Sequence, residues 1–259
     1  MKIPLYWIDA FSQHRFGGNP AAVVITAEPL AEDLMRAIAA ENNLAETAFV
    51  VPRGSRFSIR WFTPTVEMDL CGHATLASAF ALDISGWAKS SPIVFDSRSG
   101  ELSVSRQAER LALNFPARPS SPVDLNERVA EALGVRPVVV HGAQATMAIL
   151  ESQSQLRSLV PRLELVAKLP GYGLIVTAPG EQCDFVSRFF APQVGVPEDP
   201  VTGSAHCMLV PYWSARLRKK ALHARQLSAR GGELWCEDRG ERVIIAGYCA
   251  LYLQGEIEI

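Results

Sequence analysis

The chain has 259 residues, enough for one large domain or two of about 130, and 48% of them are hydrophobic against 20% charged, which supports a substantial core and excludes a disordered chain. Its 25 basic and 27 acidic residues leave a net charge of −2, so the sequence has no electrostatic footprint for nucleic acid or an anionic membrane surface. No apolar run approaches the roughly 18 residues of a membrane span. Five cysteines stand at 71, 183, 207, 236 and 249 without CxxC spacing, which speaks against a disulfide framework or zinc knuckle. With an N-terminus that reads as a strand rather than a signal peptide, the expected location is cytoplasmic.

In chain order, short β-type runs bounded by Gly, Pro or Ser predict strands at 3–9, 22–25, 47–51, 57–62, 93–96, 102–105 and 111–115. They continue at 138–141, 147–150, 174–178, 185–190, 222–227, 233–236, 243–246 and 248–253. Helical periodicity appears at 31–42, 125–133 and 153–160. Two further helices are predicted from Gly72 to 85 and from Gly203 to 217. The first is small or apolar around its whole circumference, the pattern of a helix enclosed on all sides. The second is apolar in its first turns, and Pro211 is expected to kink or shorten it.

The chain also echoes itself. Arg60-Trp61-Phe62-Thr63-Pro64 returns as Arg188-Phe189-Phe190-Ala191-Pro192, and Gly72-His73-Ala74 returns as Gly203-Ser204-Ala205. Each half reads strand, proline turn, acidic loop, glycine, buried helix, which suggests a duplication. The Pro/Ser-rich stretch 116–122 is the natural linker, so the expected domains are 1–116 and 117–259, with the last strand able to cross back to the first.

The glycine starts carry the first chemical argument. A helix N-terminus presents unpaired amides and a positive dipole to an anion, and glycine lets the ligand approach. Two such ends facing one cleft would hold a small carboxylate; alternatively each glycine only starts a tightly packed helix. Glu46, following Ala45 at a helix-to-strand junction, is acidic among small and apolar neighbours. Desolvation there raises a carboxyl toward the range of a general acid/base, whereas a solvated turn position leaves it ordinary. Asp199 lies four residues before Gly203 and either reaches the same cleft or caps a turn. His73 follows Gly72, where a helix start favours the neutral imidazole. Cys71, at the same start, reads as structural. The pairs Cys71/His73 and His206/Cys207 lack a supporting ligand cluster, so no metal is expected. Gly17-Gly18-Asn19 is too short for a phosphate loop.

Taken together, these motifs resemble the PhzF family of phenazine-biosynthesis-like isomerases over nearly the whole chain. The matching blocks are Asp9-Ala10-Phe11, Phe16–Val23, Asn43–Phe49, Leu70–Thr75, Phe189–Pro192 and Glu198–His206. The resemblance implies an α+β, diaminopimelate-epimerase-like fold of two pseudo-symmetric domains, each wrapping a sheet around a central helix. It implies cofactor-independent proton transfer and a homodimer, with Glu46 as acid/base, His73, Asp199 and Ser204 as its partners, and the amides of Gly72 and Gly203 on the substrate carboxylate. Ala45 stands where the phenazine enzymes carry Ser, which removes a substrate-contacting hydroxyl. The expected activity is an isomerase moving a proton on a small carboxylate. The alternatives are an amino-acid racemase or epimerase using Glu46 and Asp199, and a non-catalytic small-acid or protein-binding module on the same fold.

Overall fold

A computed structural model describes residues Met1–Ile259. The first elements are β1 (Lys2–Ala10), β2 (Asn19–Ile25), α1 (Glu32–Asn42), β3 (Glu46–Arg53), β4 (Arg56–Phe62), β5 (Glu67–Met68), α2 (Gly72–Ile84), β6 (Ile93–Ser97), β7 (Gly100–Gln107) and β8 (Arg110–Pro116). There follow β9 (Ser121–Pro122), α3 (Asn126–Leu133), β10 (Val139–Gly142), β11 (Thr146–Ile149), α4 (Gln153–Arg157), α5 (Leu163–Val166), β12 (Leu174–Pro179), β13 (Phe185–Ala191) and β14 (Val196–Asp199). The chain ends with α6 (Gly203–Leu217), β15 (Ala221–Gln226), β16 (Gly232–Asp238), β17 (Arg242–Gly247) and β18 (Cys249–Glu258). Two compact units result, Met1–Asn114 with Ala246–Ile259, and Phe115–Ile245.

In the first unit β18 pairs antiparallel with β1 and β1 with β2; β2 runs parallel to β3, β3 antiparallel to β4, and β4 carries both β5 (antiparallel) and β6 (parallel). The second unit repeats that ladder. Strands β9, β10 and β11 are antiparallel neighbours, β11 is parallel to β12, β12 antiparallel to β13, and β13 carries both β14 (antiparallel) and β15 (parallel). The hairpin β6–β7 is matched by β15–β16. The duplication read from short echoes is therefore present in the hydrogen-bond register.

The central helices explain their own composition. Alanines at 74, 77, 79 and 81 are buried in α2 together with Leu76 and Leu82, because β1, β2, β3 and β7 pack against it. Its two internal hydroxyls bond back to the helix, Thr75 Oγ1 to the Cys71 carbonyl at 2.5 Å and Ser78 Oγ to that of Ala74 at 2.7 Å, so burying them leaves no polar atom unsatisfied. In α6, Pro211 does not shorten the element: the helix runs to Leu217 with the proline inside. The carbonyl that Pro211 cannot serve, that of Cys207, instead accepts from the Arg118 amide at 2.9 Å. The stretch expected to act as a linker thus caps the interruption in the helix.

Outer helices close each sheet. Met35, Ile38 and Ala39 of α1 cover Val24, Phe49 and Phe62. Val129 and Leu133 of α3, Leu156 of α4 and Val166 of α5 cover Val176, Val186 and Phe190. The helix expected at 153–160 ends at Arg157, and the four-residue α5, too short for periodicity to reveal, was not expected.

Candidate active site

Glu46 is the first residue of β3, preceded by Ala45. Asn43 ends α1 in the left-handed conformation (φ 49°), its amide returning to Ala39. Asn42 Nδ2 donates to Thr47 Oγ1 at 3.1 Å, and Glu46 lies opposite Ala21 in the parallel β2–β3 ladder. The turn is thus tied on both sides of the carboxylate, whose side chain is 15% exposed.

His73, the second residue of α2 after Gly72, is buried, and its Nε2 lies 3.2 Å from Glu46 Oε2. On the other side of the ring, Asn19 Nδ2 stands 3.1 Å from Nδ1. An amide nitrogen donates, so Nδ1 accepts and the ring proton sits on Nε2, facing the carboxyl. Burial pushes the imidazole down to about 3. At neutral pH this is therefore an uncharged N–H beside a carboxyl rather than an ion pair.

Asn19 was not expected in the site, yet the sequence holds its explanation. Gly18 has φ +64°, and a Cβ there would meet the Ala10 carbonyl oxygen at 2.1 Å. Glycine lets the loop close tightly enough to bring Asn19 opposite Ala10, and the buried Asp9 carboxylate holds that loop by accepting from the Phe16 amide at 2.8 Å. The Gly-Gly-Asn run places an amide beside His73 rather than a loop around phosphate.

Glu46 also joins Cys71 and His73 in one group whose potential ligand atoms lie within 4.8 Å of one another, which corrects the expectation that the Cys71/His73 pair has no supporting ligand. Cys71 Sγ stands 3.6 Å from Nδ1 while Glu46 stands at Nε2.

In the second unit, Asp199 ends β14 and Ser204 is the second residue of α6 after Gly203. Thr202, the residue preceding α6, donates its hydroxyl to Asp199 Oδ2 instead of capping the helix. Neither α2 nor α6 is capped by the side chain at its N-cap. Tyr172 Oη donates to Ser204 Oγ at 3.3 Å, and burial raises the phenol pKa, which keeps it protonated. Tyr172 carried no sequence signal beyond its flanking glycines. His206 is wholly buried, its Nδ1 donating to the Thr202 carbonyl at 2.8 Å, and burial pushes it down to about 4.

Register makes the two units comparable position by position. Thr47 faces Phe62 as Leu174 faces Phe190, so Glu46 corresponds to Gly173 and Ala45 to Tyr172. Trp61 faces Met68 as Phe189 faces Asp199, so Asp199 corresponds to Met68. The helix starts match Cys71 to Thr202 and His73 to Ser204. The frame is duplicated, but the chemical groups are not. A carboxylate cannot simply be restored at 173, where a Cβ would meet the Phe189 ring at 2.4 Å.

A family model described as phenazine biosynthesis-like protein, PhzC-PhzF, matches residues 8–255. An uncharacterized isomerase of Pseudomonas aeruginosa is 52% identical over 260 residues, covering 100% of both chains. The crystal structure of a PhzF-family phenazine biosynthesis protein from Enterococcus faecalis matches with a TM-score of 0.98 at 42% identity, covering 100% of each chain. A probable proline racemase from Agrobacterium radiobacter, 11% identical, matches with a TM-score of 0.70 over 99% of this chain and 93% of that one, a likeness of fold.

Proposed function

This chain belongs to the phenazine biosynthesis-like (PhzF) family of isomerases, on the epimerase-like α+β fold, and from that premise we propose that it moves a proton on a small carboxylate substrate, with Glu46 as the group that takes and returns it. The observation carrying this reading is the largely buried Glu46 carboxyl, 3.2 Å from a neutral imidazole nitrogen at the mouth of α2. A charged partner would hold the carboxylate too firmly to accept a proton. A neutral N–H close beside the carboxyl adds no opposing charge and leaves it able to take and return a proton.

In this mechanism Glu46 removes a proton from a carbon acidified by an adjacent carboxyl or unsaturated group and delivers it to another carbon, a 1,3 shift. The α2 amide at Gly72 faces developing negative charge, and the second-unit group of Asp199, Ser204 and the Gly203 amide serves substrate recognition. Ala45, lacking a hydroxyl, points away from the phenazine precursor as the preferred substrate. An amino-acid racemase needs an acid/base for each face, and the duplication supplies no second glutamate, because the equivalent position is Gly173.

Small unsaturated carboxylates and 2,3-dihydro-3-hydroxyanthranilate, incubated with the protein in deuterated water and followed by proton NMR, test this directly. Deuterium should enter at carbon, and Glu46→Gln should slow its entry by about 10²–10⁴-fold. Undiminished exchange in Glu46→Gln removes Glu46 from the mechanism, and deuterium entry with loss of optical rotation indicates a racemase. A homodimer is part of the same proposal, checked by light scattering.

A further inference from the structure

We propose that Gln226 is a positioning residue that fixes Asp199 as a hydrogen-bond acceptor, so that Asp199 orients the substrate and exchanges no proton with it. This deepens the reading above and rests on Glu46 being the proton-transferring group.

The argument runs outward from backbone groups whose roles cannot change. Gln226, at the end of β15, is wholly buried. The Thr202 amide can only donate, and it lies 2.9 Å from Gln226 Oε1. That contact sets which end of the amide is oxygen. Gln226 Nε2 must then face the other way, where it donates to the Asp199 carbonyl at 2.9 Å and to Thr202 Oγ1 at 3.1 Å. Because Thr202 Oγ1 receives a hydrogen there, its own hydrogen is directed to its remaining partner, Asp199 Oδ2. The chain of donors therefore runs in one sense, from Gln226 through Thr202 into the carboxylate.

The titratable groups around this loop leave that sense undisturbed. The neighbouring carboxylate, Glu198, is engaged by Arg188 through two contacts of 2.7 and 2.8 Å. Tyr172 is a protonated phenol engaged with Ser204, and Arg118 adds a positive charge felt at Tyr172. His206 is neutral and donates to the Thr202 carbonyl. A hydrogen bond donated to a carboxylate favours its charged form, so the directed Thr202 hydroxyl favours Asp199 as an anion that accepts. The first unit has no counterpart: Phe57 faces Phe95 as Phe185 faces Ala224, which puts Ser97 in the place of Gln226, and its hydroxyl goes to the Gly100 carbonyl.

The test reads Asp199 itself. In the full-length, carbon-13-labelled chain, the Asp199 carboxyl carbon is titrated in the unaltered protein, Gln226→Leu, Thr202→Val and Thr202→Ser. Losing the hydroxyl in Thr202→Val, or the donor that directs it in Gln226→Leu, should raise the midpoint by about one pH unit, whereas Thr202→Ser should keep the midpoint of the unaltered protein. An unchanged midpoint in folded Thr202→Val overturns the proposal, and this near-isosteric variant decides the matter if Gln226→Leu does not fold. Neutron diffraction of the unaltered protein gives the same answer without substitution. Deuterium on Thr202 Oγ1 directed at Asp199 supports the proposal, and deuterium on the Asp199 carboxyl at neutral pH overturns it. None of these measurements uses turnover, so their failure is distinct from failure of the Glu46 exchange experiment.

Discussion

Glu46 and His73 depend on a third residue for the state of the ring between them. With Asn19 donating to Nδ1, the imidazole keeps its proton on Nε2, beside the carboxyl. Without that donor either tautomer is open, and half of them would aim a lone pair at the carboxylate. A hydrogen bond of this kind contributes about 1 kcal/mol, roughly fivefold in rate if felt fully in the transition state. Asn19→Leu should therefore lower substrate hydrogen exchange by about fivefold or more while leaving Glu46 and His73 in place. Equal exchange rates in the variant and the unaltered protein would show that the tautomer is set by something else. Glu46 and His73 lay beside breaks in pattern, a helix–strand junction and a glycine start, but their roles were legible only through the resemblance to the PhzF family. That of Asn19 was not legible, because its contact with His73 spans 54 residues, a distance no local pattern encodes. Gln226, 24 residues from Thr202, was hidden for the same reason.

Between the residues and the whole chain stand two matched braces. Arg60 grips Glu67 through Nε and Nη2 at 2.7 Å each, and Arg188 grips Glu198 at 2.7 and 2.8 Å. Each guanidinium lies over the phenylalanine two residues on, Phe62 at 5.0 Å and Phe190 at 4.9 Å. In each unit the brace ties the strand carrying the arginine to the short strand that leads into the central helix. The echo Arg-aromatic-Phe was legible in the sequence, whereas its acidic partner was not, because the loops between differ in length. The two braces are not equally replaceable. Glu67 has a second cation, Arg98, at 2.8 Å, so Arg60→Met leaves it partnered and should cost about 1 kcal/mol. Arg188 is 12% exposed and also donates to the carbonyls of Leu156 and Leu159, so Arg188→Met strands several acceptors at once. Its cost should reach about 3 kcal/mol. Urea denaturation of the two variants checks the order, and an equal loss in both would mean that the carbonyl contacts of Arg188 add nothing to its ion pair.

At the scale of the whole molecule, a fold built twice carries chemistry that is not repeated, and this sets how much the sequence could disclose. Strand positions and helix starts follow from local alternation, glycine and proline, so the duplication was readable in outline, whereas the α+β frame was legible only through the resemblance to the PhzF family. The correspondence of Glu46 with Gly173, and of Met68 with Asp199, depends on ladder register, which periodicity does not specify. One consequence of enclosing a helix in each unit is that both carry a buried histidine, His73 and His206, and their burial ties stability to pH. Burial pushes His73 down to about 3 and His206 down to about 4, against about 6.5 for an exposed imidazole in the unfolded chain. Between the folded and unfolded values the unfolded chain binds more protons, so stability rises with pH there. The contribution is complete above about pH 6.5 and is lost as pH falls through the window toward 4 and then 3. Each histidine supplies a slope of up to about 1.4 kcal/mol per pH unit. His206→Gln keeps a donor for the Thr202 carbonyl but cannot titrate. Denaturation free energies measured at pH 7.5, 6 and 5 should therefore fall less steeply in His206→Gln, by up to half of the histidine-derived slope. Parallel curves for the two proteins would mean that His206 becomes protonated without unfolding, and that its enclosure within the second unit is looser than its burial indicates.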